Sequence, residues 1–345
     1  MEYRTIPLFF TAAPFFEFKS SAQKFKFTNS IRYCLNKDSN KILIIIRHQN
    51  QLKNIEVLSK LKIKYDKLIY FDDGDSSHLF KRNYIYSFDK YFKSNTLSTL
   101  DWMRYPHKRI YEYYYDNLLG NDTKEEELSE DDLPEVYNSW DLIHGIYPMR
   151  RMINRIGIII AHIFGAELAF NLVKSLTGMI NQVGPKNSLD ISNKKYIFAV
   201  FSDHTRANIN YQRSEIRNLL KYDSRVITKK LKQAEYNKLL KQSRITISPF
   251  GWGEICFRDY EAIVSNSLLF KPDIGHLISS KDMFIPFETY IPFKWDFSDL
   301  RELIDYYYEN TDESIRIINN AKAKFEKIRM NKNAVVNEMI VNILK

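Results

Sequence analysis

Runs of β-branched and aromatic residues alternate with segments of helical spacing in the first part of the chain. Residues 41–47 and 67–71 are short, almost uninterrupted apolar runs, and residues 54–61 between them place apolar side chains at helical intervals. Apolar runs of this length suit strands of a parallel sheet that is covered on both faces. The pattern predicts a strand–helix–strand unit, which binds ligands at the carboxyl ends of its strands.

The same alternation returns beyond a polar linker at residues 184–188. It predicts strands at 195–201, 244–248 and 267–271 and helices at 213–221, 235–242 and 256–265, followed by a mostly helical tail from residue 300. At roughly 150 residues per domain, a chain of 345 residues holds about two domains. We therefore predict an α/β fold with two Rossmann-like domains facing each other across a cleft. The predicted boundaries are 1–184 for an N-terminal domain with a helical insertion, 185–327 for a C-terminal domain and 328–345 for a C-terminal helix.

Two apolar stretches bear on membrane contact. Residues 8–16 are apolar, but no basic segment precedes them and Pro14 interrupts them, so we predict a buried first strand rather than a signal peptide. Residues 156–180 are the most apolar, and polar side chains break them before they reach the ~20 apolar residues of a bilayer span. These polar residues are Glu167, Asn171 and Lys174. A buried or interfacial amphipathic helix is predicted there, with peripheral membrane association as the alternative because three arginines precede it.

The composition favours a cellular compartment for this chain, but it does not indicate which kind of partner the chain binds. With 44% hydrophobic and 27% charged residues, the chain is globular rather than disordered. The two cysteines, Cys34 and Cys256, lie too far apart in sequence to indicate a disulfide framework or a zinc site, so a reducing cytoplasm fits best. The net charge of +9 comes from interspersed basic and acidic residues. Such a surface suits phosphorylated small molecules, anionic lipid or nucleic acid, and the charge alone does not choose among them.

Residues 247–263 are the most informative segment. A predicted strand runs into a turn that contains Gly251 and Gly253, and a predicted helix starts directly afterwards. Glycines let a ligand approach the backbone, and the free N–H groups at a helix start favour a phosphate. Arg258 can donate two hydrogen bonds to a diphosphate, and Glu261 lies on the same helix face, where it can accept from ribose hydroxyls. The segment predicts a nucleotide clamp, against the alternative of an ordinary strand–helix connection.

The motif in this segment is Ser-Pro-x-Gly-x-Gly-Glu-x-x-x-Arg-x-x-Glu-Ala-Ile, and residues 268–273 (LLFKPD) follow it. It resembles the C-terminal half of GT-B glycosyltransferases, especially the exostosin-like and related bacterial or viral polysaccharide transferases. The resemblance covers roughly residues 196–327. It implies that this half binds a nucleotide-sugar donor, with Arg258 at the diphosphate and Glu261 at the ribose. Many retaining relatives place seven residues between two glutamates, whereas Glu254 and Glu261 have six between them, so we predict inversion.

The resemblance adds further donor-site candidates around the cleft. Gly251, Gly253 and Glu254 belong to the turn itself. Lys271 or His276, in and after the Lys-Pro-Asp segment, could contact the donor, although a loop histidine bonded to the backbone is the alternative for His276. Arg206 follows a predicted strand and could meet a phosphate, or it could be a surface arginine.

The N-terminal half would supply the acceptor site and the general base. Direct displacement needs a carboxylate or imidazole within about 3 Å of the acceptor hydroxyl. The preferred pair is Asp73 and Asp75, directly after a predicted strand, and His78 and His48 are further candidates. No metal or cofactor is expected, because Arg258, the turn amides and the helix dipole can neutralise the leaving diphosphate.

Two other functions stay open. Asp73 and Asp75 also fit the Asp-x-Asp metal site of GT-A glycosyltransferases, but that leaves the second α/β half unexplained. A non-catalytic basic RNA-binding module could use the many tyrosines as stacking platforms. We predict instead a cytoplasmic glycosyltransferase without a nucleic-acid partner. It would transfer a sugar from a nucleotide-diphosphate donor to a glycan acceptor in surface polysaccharide or glycoconjugate biosynthesis.

Overall fold

The structure is a computed structural model of the chain. It describes residues 31–36, 41–46, 55–72, 77–78, 87–105, 108–121, 135–138, 160, 168, 172, 191, 193–278 and 283–345. The strand predicted at residues 8–16 lies outside these residues. The apolar stretch 156–180 is described only at Ile160, Leu168 and Leu172, which are helical. Within the described ranges, no helix combines the length and the apolar character that crossing a membrane requires.

The N-terminal half is built on a four-stranded parallel sheet in the order β1-β2-β3-β4. Its strands are β1 (Ile42–Ile46), β2 (Lys67–Asp72), β3 (Lys90–Lys93) and β4 (Glu135–Asn138). Its helices are α1 (Ile31–Asn36), α2 (Ile55–Lys64), α3 (Thr99–Arg104) and α4 (Ile110–Leu118). The predicted strand–helix–strand unit, which is β1-α2-β2, is confirmed. Residues 68–72 of β2 are all buried because the sheet is covered on both faces.

The C-terminal half is built on a five-stranded parallel sheet in the order β6-β5-β7-β8-β9. Its strands are β5 (Tyr196–Phe198), β6 (Val226–Ile227), β7 (Ser243–Ile247), β8 (Leu268–Pro272) and β9 (Ile291–Phe293). The first three helices are α5 (Ala207–Leu220), α6 (Gln233–Lys241) and α7 (Phe257–Val264). The tail holds α8 (Leu300–Glu309), α9 (Thr311–Met330) and α10 (Lys332–Leu344).

The strand order reverses at β5 in the C-terminal sheet. The chain leaves β5 to form β6 on one side and then returns to form β7 on the other side. In open parallel sheets, the crevice at such a reversal is where ligands bind, outside the carboxyl ends of the two strands. The loops that follow β5 and β7 therefore flank the expected binding site of this half.

The carboxyl ends of the two sheets face each other. Backbone N–H of Ile278, from the loop that follows β8, donates to the carbonyl of Thr96 beyond β3, at 2.7 Å. The Tyr115 hydroxyl of α4 donates to the carbonyl of Trp295 at 3.0 Å. The predicted fold class, α/β with two Rossmann-like domains that face each other, is confirmed. The predicted domain boundaries stay a prediction.

Helix α10 returns from the C-terminal half to the N-terminal sheet. Its apolar side chains pack on side chains of β2 and β3, and the cluster comprises Val336, Met339, Ile340 and Ile343 with Ile69, Phe71 and Phe92. The Lys90 ammonium of β3 donates to the carbonyl of Asn342 at 2.7 Å. The last helix therefore covers one face of the first sheet.

Candidate functional site

The glycine loop, residues 248–256, leaves β7 at the reversal of strand order. Its turn is closed by the Gly251 N–H, which donates to the carbonyl of Gly253 at 3.1 Å. Phe250 is fully buried, and its ring stacks on Tyr111 of α4 with 4.5 Å between centroids. The Tyr111 hydroxyl donates to the carbonyl of Gly251 at 2.7 Å. The two halves of the chain thus hold the loop between them.

A buried ion pair supports the loop from below. Lys271, at the end of β8, lies 3.0 Å from the Asp259 carboxylate of α7, and neither side chain has any exposed surface. Asp259 also accepts hydrogen bonds from the Ser248 hydroxyl and from the Cys256 N–H, the latter at 2.8 Å. This carboxylate therefore caps α7, and it takes the N–H of Cys256, the residue directly before the helix. The contact of Lys271 with the donor stays a prediction. The buried pair with Asp259 does not favour it, because the ammonium group already has a partner and is not exposed.

Two arginines beside the loop lack complete partners. Arg213 of α5 is buried, and its guanidinium donates to the carbonyls of Ser202 and Phe250, at 2.6 and 3.4 Å. Arg258 of α7 is partly buried, and its guanidinium lies 5.8 Å from the centroid of the Phe201 ring. Among the described residues, neither buried Nε atom has a hydrogen-bond acceptor.

The two guanidiniums are also close enough to affect each other. Burial, together with the positive charge of Arg258, lowers the pKa of Arg213 to about 10. A Cβ atom on Gly251 would lie 3.5 Å from Nη2 of Arg213, so this guanidinium is directly beside the turn. Neighbouring buried cations with free donors create a site that an anion would stabilise.

The turn amides supply further donors at the same place. Phe250 N–H donates to the Gln212 side chain at 2.8 Å, and Gly251 N–H closes the turn. Within the part of the chain that the structure describes, no acceptor takes the amides of Trp252 or Gly253. The predicted glycines therefore do bring backbone donors next to the arginines.

A second cationic group joins the two halves. Arg206, directly before α5, and Arg109, directly before α4, both bind the carboxylate of Glu112, which is almost fully buried. Their guanidiniums lie 4.8 and 5.9 Å from the centroid of the Trp252 ring. Burial raises the pKa of Glu112, but the two arginines outweigh that effect and hold it below its usual value.

Glu261 is on the predicted face of α7. Its carboxylate accepts a hydrogen bond from the Tyr236 hydroxyl of α6 at 2.8 Å. Burial, followed by the charge of Glu261, raises the pKa of Tyr236, so the hydroxyl stays protonated and donates. The Glu261 side chain is only partly buried, so a ligand can reach its carboxylate.

Glu254 is oriented toward the N-terminal half. It is fully buried and accepts hydrogen bonds from the Ser77 N–H, at 3.2 Å, and from the Ser77 hydroxyl. Nε2 of His276 lies 3.8 Å from the carboxylate. Burial raises the pKa of Glu254, while His276, Arg109 and Ser77 together lower it below its usual value. The predicted donor contacts of Glu254 and His276 stay predictions: in this structure Glu254 binds Ser77 of the N-terminal half, and His276 lies beside Glu254 and the Trp295 ring.

The acceptor side is described only in part. Asp73, Asp75 and His48 lie outside the described residues, so their predicted roles stay predictions. Asp72, just before them, is held by Lys93 at 3.0 Å and by the Tyr91 hydroxyl at 2.7 Å. Burial, with the charges of Lys93 and Arg109, lowers the pKa of His78 to about 4. His78 is therefore neutral at pH 7.

The structure adds four residues that the motif did not mark: Arg109, Glu112, Arg213 and Tyr236. Arg213 had a detectable signal, because Ile209, Ile216 and Leu220 are buried on the same face of α5. A lone charge on an apolar helix face indicates a special environment. Arg109 and Glu112 reach the site through α4, which contacts the glycine loop, and Tyr236 reaches it from α6 through Glu261. No local sequence pattern predicts these contacts between elements.

The described residues include no group of three or more histidine, cysteine, aspartate or glutamate side chains that could hold a metal ion. The candidate site contains arginines, backbone amides and the carboxylates of Glu112, Glu254 and Glu261.

No protein-family model matches the sequence, and no curated protein matches it. Among solved structures, the chain is similar to Anabaena Alr3699/HepE in complex with UDP-glucose, with 12% identity and a TM-score of 0.49 over 99% of this chain and 96% of that chain. Trehalose-6-phosphate synthase OtsA is similar over 91% of this chain and 74% of that chain, with 10% identity and a TM-score of 0.42. Both likenesses are distant, and the fold class rests on the two parallel sheets of this chain.

Proposed function

We propose that this chain is a GT-B glycosyltransferase that moves a sugar from a nucleotide-diphosphate donor to a glycan acceptor. The observation that carries the proposal is the pair Arg213 and Arg258, whose Nε atoms lack acceptors among the described residues. They flank the glycine loop at the reversal of strand order, where a parallel sheet binds ligands. A diphosphate would supply the negative charge and the hydrogen-bond acceptors that Arg213 and Arg258 lack beside the glycine loop.

The nucleoside would extend from the diphosphate along α7. Glu261 is three residues from Arg258, one helix turn further on, and its carboxylate is oriented by Tyr236. A ribose with two adjacent hydroxyls can donate to that carboxylate. The sequence prediction of a clamp and the observed positions of Arg258 and Glu261 thus support the same proposal.

The proposed chemistry is displacement at the anomeric carbon with a nucleoside diphosphate as leaving group. The negative charge that develops on the diphosphate would be stabilised by Arg213, Arg258 and the amides of the turn, all in place before the reaction. We propose that the transfer is inverting and needs no metal ion. Asp73 and Asp75 remain our proposed general bases on the acceptor side.

Surface polysaccharide or glycoconjugate synthesis is the proposed process, because the motif resembles transferases of that kind. A cytoplasmic location is proposed from the cysteine content alone. We also propose peripheral membrane association, because the apolar side chains of Leu168 and Leu172 are exposed.

The test is a thermal-shift panel of UDP, GDP, CMP and their sugars with the full chain. A ligand at a hundred times its dissociation constant adds about 2.7 kcal/mol of stability, a clear shift. Charge-assisted hydrogen bonds contribute about 1.5–3 kcal/mol each. Arg213→Ala and Arg258→Ala should therefore each weaken binding of the stabilising nucleotide about 10- to 100-fold.

The matched control is Arg316→Ala, because the side chain of Arg316 is 51% exposed on α9. It should leave nucleotide binding unchanged. If no nucleotide stabilises the wild type, the proposed function is wrong. If a nucleotide binds Arg258→Ala as tightly as it binds the wild type, the clamp is wrong.

A further inference from the structure

The side chain of Trp252, at the centre of the glycine loop, is not part of the nucleotide clamp, which uses only the backbone amides there. Its side chain is 53% exposed, whereas Trp102 is 2% exposed and Trp295 is partly buried. Burying a large apolar side chain contributes about 1.5–3 kcal/mol, so leaving an indole in water forgoes that stabilisation. An exposed aromatic ring beside a binding site is a candidate ligand contact.

The ring is held in place from both halves of the chain. Arg206 of the C-terminal half lies 4.8 Å from the ring centroid, and Arg109 of the N-terminal half lies 5.9 Å from it. Both guanidiniums also bind the carboxylate of Glu112, so the two arginines and the indole form one connected group. Trp252 remains 53% exposed despite these contacts.

His204 completes the surroundings of the indole. Its ring meets Trp252 edge-on, at 4.8 Å between centroids and 71° between planes. Nδ1 accepts a hydrogen bond from the Arg206 N–H at 3.1 Å, so the proton of the neutral imidazole is on Nε2. Burial, with the charges of Arg213, Arg206 and Arg109, lowers the pKa of His204 and favours this neutral form. Nε2–H is then a hydrogen-bond donor next to the aromatic face.

An exposed aromatic ring with hydrogen-bond donors beside it matches the chemistry of a pyranose ring. A sugar presents C–H groups on one face and hydroxyls at its rim, so it can stack on an indole while its hydroxyls bind polar groups. The geometry points to Trp252 as the platform for a sugar ring of the acceptor glycan. This inference rests on the proposed function.

We assign this platform to the acceptor rather than to the donor sugar because the N-terminal half contributes to the surroundings of Trp252. Arg109 and Glu112 belong to α4 of the N-terminal half, which the proposed function assigns to the acceptor. Arg213, assigned to the diphosphate, lies beside Gly251, where a Cβ atom would be 3.5 Å from its Nη2. Trp252 thus lies where acceptor and donor sites meet.

The experiment compares Trp252→Ala, Trp252→Phe and Tyr222→Ala in the full chain. Tyr222 is the matched control for Trp252, because it is an exposed aromatic residue, 87% exposed, with a cation, Lys221, over its ring. It differs in position, since it follows the end of α5 that is far from the glycine loop. Glycan binding is measured on an array of immobilised neutral and acidic oligosaccharides in the presence of the stabilising nucleotide. Nucleotide binding is measured by thermal shift on the same preparations, which also shows that each variant folds.

Trp252→Ala should lose about tenfold or more in affinity for the glycans that the wild type retains. Trp252→Phe should keep most of it, Tyr222→Ala should keep all of it, and nucleotide binding should be unchanged throughout. The inference is overturned if Trp252→Ala keeps its glycans, if it loses the nucleotide sugar instead, or if the wild type retains no glycan while it binds nucleotide. Failure of the wild type to bind any nucleotide would count against the proposed function itself.

Discussion

His78 shows how the environment of one residue determines its charge. Its Nδ1 is buried and has no hydrogen-bond partner among the described residues. The charged groups that act on it are Lys93 of β3, Arg109, Asp72 of β2 and Glu112 of α4. Burial is the largest effect, and it favours the neutral imidazole, so the pKa falls to about 4.

Acid should therefore destabilise the fold through His78. Between pH 6.5 and 4 the unfolded chain binds a proton at this histidine and the native chain does not, so the free energy of unfolding falls as the pH falls. The lowered pKa corresponds to up to about 3 kcal/mol. Urea denaturation at pH 6.5 and pH 4 should show that His78→Gln loses less stability than the wild type. Equal losses would contradict the assigned environment.

Glu261 is the residue on which the ribose contact depends. Removing its carboxylate should weaken binding of the stabilising nucleotide about 10-fold or more, because a charge-assisted hydrogen bond contributes about 1.5–3 kcal/mol. Tyr236→Phe should have a smaller effect in the same direction, since it only frees the carboxylate to rotate. Isothermal titration calorimetry measures both, with the exposed Glu302→Ala of α8 as control. Unchanged affinity in Glu261→Ala would disprove the clamp.

At the scale of elements, both sheets end in a buried lysine–aspartate pair. Lys93 of β3 pairs with Asp72 of β2, and Lys271 of β8 pairs with Asp259 of α7, each at 3.0 Å. The second pair joins a strand to the helix that carries Arg258 and Glu261. Its place below the glycine loop indicates that it fixes the angle between strand and helix.

Breaking that pair should cost far more than breaking an exposed one. Lys271→Met leaves the Asp259 charge buried without its partner, and we expect a loss of about 3–5 kcal/mol in the free energy of unfolding. The control is Lys229→Met, whose lysine pairs with Glu235 at 3.3 Å and is 69% exposed. That variant should change stability by less than about 1 kcal/mol. Similar urea midpoints for the two variants would contradict the buried pair.

At the scale of the whole molecule, α10 ties the end of the chain to the first sheet. Ile340 is 5% exposed against that sheet, whereas its neighbour Val341 is 49% exposed. The two halves thus share stability through a helix that follows the C-terminal half in sequence. The contacts of α4 with the glycine loop make a second connection at the site itself.

Ile340→Ala should lower the free energy of unfolding by about 2–5 kcal/mol, because the cavity forms in a packed interface. Val341→Ala, one position along the same helix, should change it by less than about 0.5 kcal/mol. Chemical denaturation of the two variants gives the comparison. Equal stabilities would show that α10 does not pack on the first sheet as described.

The sequence by itself determined the glycine loop with Arg258 and Glu261, and part of the secondary structure. The elements that it determined are β1, β2, β5, β7 and β8, the helices α2, α5, α6 and α7, and the helical tail. These follow from local periodicity and from spacing within one strand–turn–helix unit, so no distant contact is needed to predict them. β3, β4, β6 and β9 were not predicted, because short strands of two to four residues carry little periodic signal.

The partners of the site residues were decided only by the tertiary structure. Lys271 ends a strand and was predicted to contact a ligand, yet Asp259 on the next helix takes its charge. Arg109 and Glu112 reach the glycine loop from about 140 residues away, as the Tyr111–Gly251 hydrogen bond shows. Which charges pair and which are left for a ligand depends on distances between elements, and those distances arise only when both sheets pack against each other.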